Sequence, residues 1–373
     1  MSKLIKKIFN IFLRVFWIFR IREKTIVISF FNGSAVGGDG KALLDYSNEK
    51  NLGYKFYWIV NKNFNKKEHK FNDVKYIRKW SIPFFFRSLT SKIIFTNINH
   101  VSFLPYRKHQ CLVNGWHGYG YKVVHQGNNI SNEELIKIFN LNNLFLSPNK
   151  LATDKKIREA FKYEGKVLEI GTPCCDIFFK KEKVESLTAK FKKDYGVEKD
   201  EKLLLYAPTF RQDFSFEEGG LDFSNLIKEL NKKFSSKWKI LYRVHPMIAG
   251  TTKVDNPNVI DVTKYDDMNE LLAISDILIT DYSSTFWELA IQRKPVFIYA
   301  YDLEKYEKND RGFILPTSEW PFPIATSNEE LAKAIKEFDD SAYNKTLDAY
   351  FKKYGNYEKG TACAQFFSEI EKL

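Results

Sequence analysis

The stretch DILITDYSSTFWELAIQRKPVFIYA, residues 276–300, reads as a strand, a turn, a helix and a second strand. DILITDYS (276–283) is short, apolar and β-branched, STFWELAIQR (284–293) spaces its apolar residues as a helix does, and PVFIYA (295–300) is strand-like again. Two strands joined by a helical crossover form a βαβ unit, which predicts a parallel sheet.

The pattern extends both ways from this unit. Upstream lie strand-like KLLLYAPTF (202–210), helical LDFSNLIKELNKKF, strand-like WKILYRVHP (238–246) and NVIDV, and helical MNELLAIS. Further toward the amino terminus TIVISFF (25–31) runs into a glycine-rich turn, GSAVGGDG (33–40), and helical KALLDYSNEK. Strand candidates KFYWIV (55–60), VKYIR (74–78), KIIFTNI (92–98), CLVNGWHG (111–118) and KVLEIG (166–171) follow at βαβ intervals. The glycine turn lacks GxGxxG spacing and does not by itself establish nucleotide binding. Charged residues around 177–200 read as a linker containing a helix. The expected fold is α/β, with two doubly wound, Rossmann-like domains facing a central cleft and ligands at the carboxyl ends of their strands. The expected divisions are residues 1–22, 23–180, 181–345 and 346–373, the last a carboxyl-terminal helix packing back on the first domain.

Composition narrows the function. At 373 residues, 44% hydrophobic and 16% aromatic, the chain has ample apolar surface for two cores. A net charge of +12, from 58 Lys and Arg against 46 Asp and Glu, favours anionic partners. The basic residues are spread rather than striped and no nucleic-acid motif is present, so nucleic acid is not expected. Cys111, Cys174, Cys175 and Cys363 form no CxxC pair, which argues against a zinc site and for free thiols.

Residues 1–22, MSKLIKKIFNIFLRVFWIFRIR, are too interrupted by charge to span a bilayer and lack a signal-peptide cleavage site. On a helical wheel Lys3, Lys6, Lys7, Asn10 and Arg14 cluster opposite Leu4, Ile5, Ile8, Ile11, Phe12, Val15, Phe16 and Phe19. A basic amphipathic helix lying on an anionic membrane surface is expected, the alternative being a helix docked on the protein's own body.

Five polar motifs stand directly after strand-like runs: Trp116-His117-Gly118, Tyr206-Ala207-Pro208-Thr209-Phe210-Arg211, Arg243-Val244-His245-Pro246, Thr280-Asp281-Tyr282-Ser283-Ser284 and Arg311-Gly312. With DGKALL (39–44) and GTPCCD (171–176), their order resembles that of the CDP-glycerol glycerophosphotransferase family, which includes teichoic acid primases and polymerases. Three departures stand out. The family usually has a TPLK-like stretch after HG, where this chain has Tyr119-Gly120-Tyr121-Lys122. The arginine of GxPRxD is lost, and Glu288 stands where aspartate is commoner.

The resemblance implies a GT-B fold and a monotopic enzyme on the cytoplasmic face of the membrane. The implied reaction transfers an alditol phosphate from CDP-glycerol or CDP-ribitol to a lipid-linked or polymeric glycan acceptor, releasing CMP. His117 is expected to take the acceptor's proton and His245 to hydrogen-bond the diphosphate, and Thr209, Arg211, Arg243, Ser283, Ser284, Glu288, Arg311 and Gly312 to bind the donor. Lys122 and Tyr119 are expected to contact acceptor or phosphate. Asp281 is expected to be structural. No tightly bound metal is expected, although Mg²⁺ can accompany a diphosphate. The length favours a primase-like enzyme, the alternative being a short polymerase. The alternative is a GT-B glycosyltransferase using a nucleotide sugar, which attacks carbon and releases UDP or GDP.

Overall fold

Two parallel sheets, each with the strand order of a doubly wound fold, organise the chain in the computed structural model, which describes residues 3–65, 71, 73–117, 119, 132–209, 220–244, 256–309 and 312–373. The first comprises β1 (Arg22–Ser29), β2 (Lys55–Val60), β3 (Val74–Arg78), β4 (Ser91–Thr96), β5 (Cys111–Asn114), β6 (Leu144–Leu146) and β7 (Lys166–Leu168), in the order β3-β2-β1-β4-β5-β6-β7. The second comprises β8 (Lys202–Ala207), β9 (Trp238–Tyr242), β10 (Val259–Asp261), β11 (Ile277–Thr280), β12 (Val296–Tyr299) and β13 (Ile324–Ala325), in the order β10-β9-β8-β11-β12-β13. Counted within each sheet, both begin 3-2-1-4-5-6, so the order reverses between β1 and β4 and between β8 and β11. Ligands of such sheets bind outside the strand ends at these reversals.

The sheets belong to two units. The first is Met1–His117, Gly127–Asp176 and Tyr357–Leu373, and the second Gly118–Gln126 and Ile177–Asn356. The helix Asp340–Tyr354 therefore lies in the second unit, and only the helix Ala362–Ile370 and the turn before it join the first.

Alternation along the central strands of the first unit builds two cores. Ile26 and Ile28 of β1, with Ile93 and Phe95 of β4, face α2 (Gly38–Glu49) and the carboxyl-terminal helix through Leu43, Leu44, Phe366 and Phe367. Val27 and Ile94 point the other way, into a core with Leu13, Phe84 and Leu89. Such strands read as continuous apolar runs because both faces are covered. The missed strands β6 and β13 have only three and two residues. The last three residues of the glycine-rich turn already form the first turn of α2.

Two buried carboxylates tie the carboxyl-terminal segment to this unit. Asp176 accepts the backbone N–H groups of Ala362 and Cys363 at 2.9 and 2.8 Å, satisfying the start of the last helix. Glu358 accepts the N–H and hydroxyl of Thr172, the hydroxyl at 2.7 Å. None of the four cysteines is in a disulfide.

The amino terminus departs from a single helix over 1–22. Helix α1 spans Lys3–Leu13, a 3-10 turn covers Arg14–Ile18, and Arg22 already begins β1. The segment docks by a narrow seam on α3 (Ile82–Thr90) and the loop before β5. Phe9 meets Phe85 and Phe103, Leu13 is buried, Phe16 meets Phe86, and Asn10 and Trp17 donate to the carbonyls of Phe103 and Pro105. The remaining apolar side chains stay open, Phe12 at 70% exposure and Ile18 at 76%.

His100 supplies a test of the packed fold. It is buried after β4, and burial lowers its pKa to about 4 from an ordinary 6.5. As pH falls through this window the unfolded chain takes a proton that the folded one refuses, so stability is complete above about 6.5 and lost toward 4. The loss should reach about 3 kcal/mol at pH 4. His100→Gln should lose less by that amount in denaturant titrations across the range; equal losses would refute the assignment.

Candidate active site

In the first unit the site is built around His117, three residues beyond β5. The Asn114 side chain accepts the Trp116 N–H at 2.8 Å and turns the chain, placing Trp116 in the left-handed region at φ 49°. That conformation is disfavoured for an aromatic residue. Contacts of the indole with Phe161 and Phe139, at centroid distances of 4.5 and 5.6 Å, help to hold it. The His117 ring stacks on Trp116 at 4.7 Å and meets Phe31 at 5.3 Å.

Nδ1 of His117 lies 2.8 Å from the backbone oxygen of Asn97, which follows β4. A carbonyl oxygen only accepts, so Nδ1 carries the hydrogen and the neutral ring has its basic lone pair on Nε2. The Asn97 side chain accepts the Phe31 N–H at 2.9 Å, so one residue positions both the imidazole and a ring against it.

Behind His117, Gly115 packs where a side chain does not fit. A Cβ there would stand 2.7 Å from the Phe95 ring and 2.8 Å from Oδ2 of Asp39. Asp39, buried in the first turn of α2, accepts the Cys174 N–H at 3.0 Å. The glycine-rich turn and GTPCCD thus meet through a backbone donor, a contact indifferent to the side chain at 174.

In the second unit, neighbouring β8 and β11 end side by side. Thr280 donates its hydroxyl to the Ala207 carbonyl at 2.6 Å. Asp281, 2% exposed, accepts the Thr209 N–H at 2.9 Å, the Thr209 hydroxyl, and the Tyr282 N–H at 2.6 Å. Thr209 is therefore bound to the strand-end clamp. Ser284 occupies the N-cap position of the helix Thr285–Ile291 without a side-chain cap bond; Ser283 instead accepts from the Thr285 N–H and hydroxyl. Glu288 accepts from the Asn269 amide at 2.8 Å, and Asp267 caps the helix carrying Asn269.

Arg243 follows β9 and anchors its N–H on the Tyr206 carbonyl at 2.9 Å. Burial lowers its pKa, opposed by the charges of Asp267 and Asp266, and its Nη1 has no hydrogen-bond partner among the described residues. A buried, unmatched guanidinium donor suits an anionic ligand. Gly312 leads into Phe313, whose ring stacks on Tyr306, which in turn stacks on Tyr282 at 3.6 Å.

Of the expected site residues, Arg211, His245, Lys122 and Arg311 lie outside the described residues, and Tyr119 is described and buried. The structure groups Thr209, Ser283 and Ser284 around the strand ends of the second unit and places His117 in the first. Asn97, Phe31 and Asn269 were missed. Asn97 acts on His117 through its backbone carbonyl, which leaves no mark on residue type; its place at a strand end was the available signal.

The chain is similar to known proteins along nearly its whole length. The family description CDP-glycerol:poly(glycerophosphate) glycerophosphotransferase matches residues 11–372. A teichoic acid poly(glycerol phosphate) polymerase of Bacillus spizizenii is 26% identical over 98% of this chain and 97% of its own. A teichoic acid glycerol-phosphate transferase of Staphylococcus aureus is 28% identical over 94% and 93%. The chain spans about half the length of the Bacillus subtilis polymerase, 49% of it. Among solved structures, the wall teichoic acid polymerase TagF superposes with a TM-score of 0.83 at 25% identity, covering 99% of this chain and 96% of that one.

The packing behind His117 is directly testable. Gly115→Ala should lower stability by about 1–3 kcal/mol, because the buried Phe95 ring and Asp39 carboxylate have little room to retreat. A denaturation midpoint equal to that of the unsubstituted protein would contradict the contact.

Proposed function

The chain belongs to the CDP-glycerol:poly(glycerophosphate) glycerophosphotransferase family, and from that premise we propose how its residues carry out the transfer of glycerol phosphate in teichoic acid synthesis. The donor is a CDP-activated alditol and the acceptor a hydroxyl of a glycan or polymer. The acceptor oxygen attacks the β-phosphorus of the donor, the new O–P bond forms, and the bond to the CMP phosphate breaks. His117 Nε2 receives the hydroxyl proton and CMP departs with the bonding electrons.

The observation that carries this reading is the Nδ1 bond of His117 to the Asn97 carbonyl, which fixes the tautomer a general base requires. Phosphoryl transfer otherwise asks for positioning and charge neutralisation. Arg243 supplies a cation with an unused buried donor for the diphosphate. Arg211, Arg311 and His245 are assigned to the same diphosphate, with Ser283, Ser284 and the Gly312 turn around it. One Glu288 oxygen accepts from Asn269, and we assign the carboxylate to the ribose hydroxyls. Tyr119 and Lys122 are assigned to the acceptor.

We place the enzyme peripherally on the cytoplasmic face of the membrane, with a lipid-linked acceptor. No described helix is long and apolar enough to cross a bilayer. Helix α1 and the turn after it instead leave Leu4, Ile5, Ile8, Ile11, Phe12 and Ile18 open beside Lys7 and Arg14. An open apolar face with cations at its margin suits the interface of an anionic bilayer.

With CDP-glycerol and an envelope-lipid acceptor the purified protein should release CMP. His117→Ala should cut turnover by about 10²–10⁴-fold while leaving donor affinity nearly unchanged. Turnover retained in that variant would remove the base; CMP appearing only with CDP-ribitol would reassign the donor. In flotation assays Ile8→Glu with Phe12→Glu should abolish binding to vesicles containing anionic lipid. These positions are exposed, so stability should be kept, and undiminished flotation would refute the membrane contact.

A further inference from the structure

A second feature of the first unit is not used by the transfer step. Behind the turn that carries Phe31 lies an open groove of about 620 Å³. It is lined by Asn61, Lys62 and Asn63, just beyond β2, and by Arg78, Lys79 and Trp80 at the end of β3. This is the carboxyl end of the parallel sheet, on the β2–β3 side of the reversal between β1 and β4.

Among the described residues that line the groove there are three cations and no carboxylate, and neither Lys62, Arg78 nor Lys79 has a described carboxylate within ion-pair distance. Lys79 is half-buried, and burial lowers its pKa, so its charge is held where water serves it poorly. Trp80 adds a flat apolar wall. Its backbone is in the left-handed region at φ 67°, and its indole stays 53% exposed while stacking on Phe103 at 6.0 Å. The ring also packs on Phe84 at 5.3 Å, so one face is held by the core while the rest stays open to the groove.

The groove also shares a wall with the histidine site. Nζ of Lys79 donates to the backbone and side-chain oxygens of Asn32, at 3.4 and 3.3 Å. Asn32 follows Phe31, whose ring lies against His117 at 5.3 Å. A ligand in the groove is therefore one turn of chain away from the base, on the same unit and the same side of the sheet.

Three cations call for an anion, and the amides of Asn61 and Asn63 with the indole suit a polyol backbone better than a bare ion. We propose that this groove is a subsite for the phosphodiester of the acceptor chain, holding an already linked alditol phosphate while the terminal hydroxyl is presented to His117. The inference rests on the phosphotransferase reading above and adds to it what the acceptor must carry. An acceptor bearing at least one phosphodiester is bound in the groove, and one without is not, so extension is favoured over the first addition. This runs against the primase-like expectation drawn from length.

The test separates the groove from the chemistry. Synthetic glycerol phosphate oligomers, lacking lipid, are titrated calorimetrically into the full chain and into Lys62→Gln with Arg78→Gln, and CMP release is followed at saturating CDP-glycerol. Affinity for the oligomer should fall about tenfold or more in the double variant, and fall with added salt in the unsubstituted protein. The KM for oligomer-bearing acceptor should rise by the same factor, with kcat and the donor KM kept. Arg78→Lys should recover part of the affinity, and thermal midpoints exclude misfolding as the cause.

Equal oligomer affinity in both proteins would overturn the subsite. So would a defect confined to vesicle flotation, which would make the groove a lipid-headgroup site, or a rise in donor KM alone, which would make it part of the donor site. Oligomer binding by a chain that releases no CMP would leave the subsite standing and sink the functional reading instead.

Discussion

Buried carboxylates that accept backbone N–H groups hold the working parts of both units in place. Asp281 gathers Thr209 and Tyr282 at the end of β11, Asp39 reaches Cys174 beside Gly115, and Asp176 and Glu358 fasten the returning carboxyl terminus. Taking a carboxylate out of water costs several kcal/mol, and one hydrogen bond does not offset it. Two or three charge-assisted bonds of about 1.5–3 kcal/mol each do. The bonds form only when strand ends and turns are in register, so these residues reward one arrangement of loops over its neighbours. They leave the ligand-facing side chains to be chosen for chemistry.

That division explains which parts of the sequence were legible. Strands such as KFYWIV and VKYIR have the bounds read from residue type, because their apolar runs are the direct consequence of two-sided burial. The runs that continue into motifs were read too long. YAPTFR and TDYSS carry apolar or β-branched residues past Ala207 and Thr280, where the sheet stops and the Asp281 clamp takes over. The amino terminus was legible in composition but not in shape. Apolar residues surround most of α1, so residue type alone does not say that Phe9, Leu13 and Phe16 form the seam while Ile8, Ile11 and Phe12 remain outside.

The site itself was legible as motifs and opaque as geometry. His117 stands out by residue type, yet its chemical state depends on the Asn97 carbonyl, a group every residue possesses. Ser284 stands where a capping residue belongs, and the bond is made by Ser283 one position earlier. Arg243 stands out by residue type, but only the fold shows its acidic neighbours and, among the described residues, an unmatched buried donor. For His117 and Arg243 the deciding contacts reach elements distant in sequence, and spacing along the chain does not encode them.

The turn Phe31-Asn32-Gly33 joins these strands of argument. Its backbone is left-handed at all three positions, at φ 42°, 58° and 87°, a costly run for two residues that have side chains. The surroundings hold it from three directions. Asn97 accepts the Phe31 N–H, the Gly33 carbonyl accepts the Asn61 N–H at 2.8 Å, and Lys79 closes on Asn32. The groove cations and the ring packed against His117 therefore meet in one turn, and the proposed acceptor subsite and the base share that turn as a common wall.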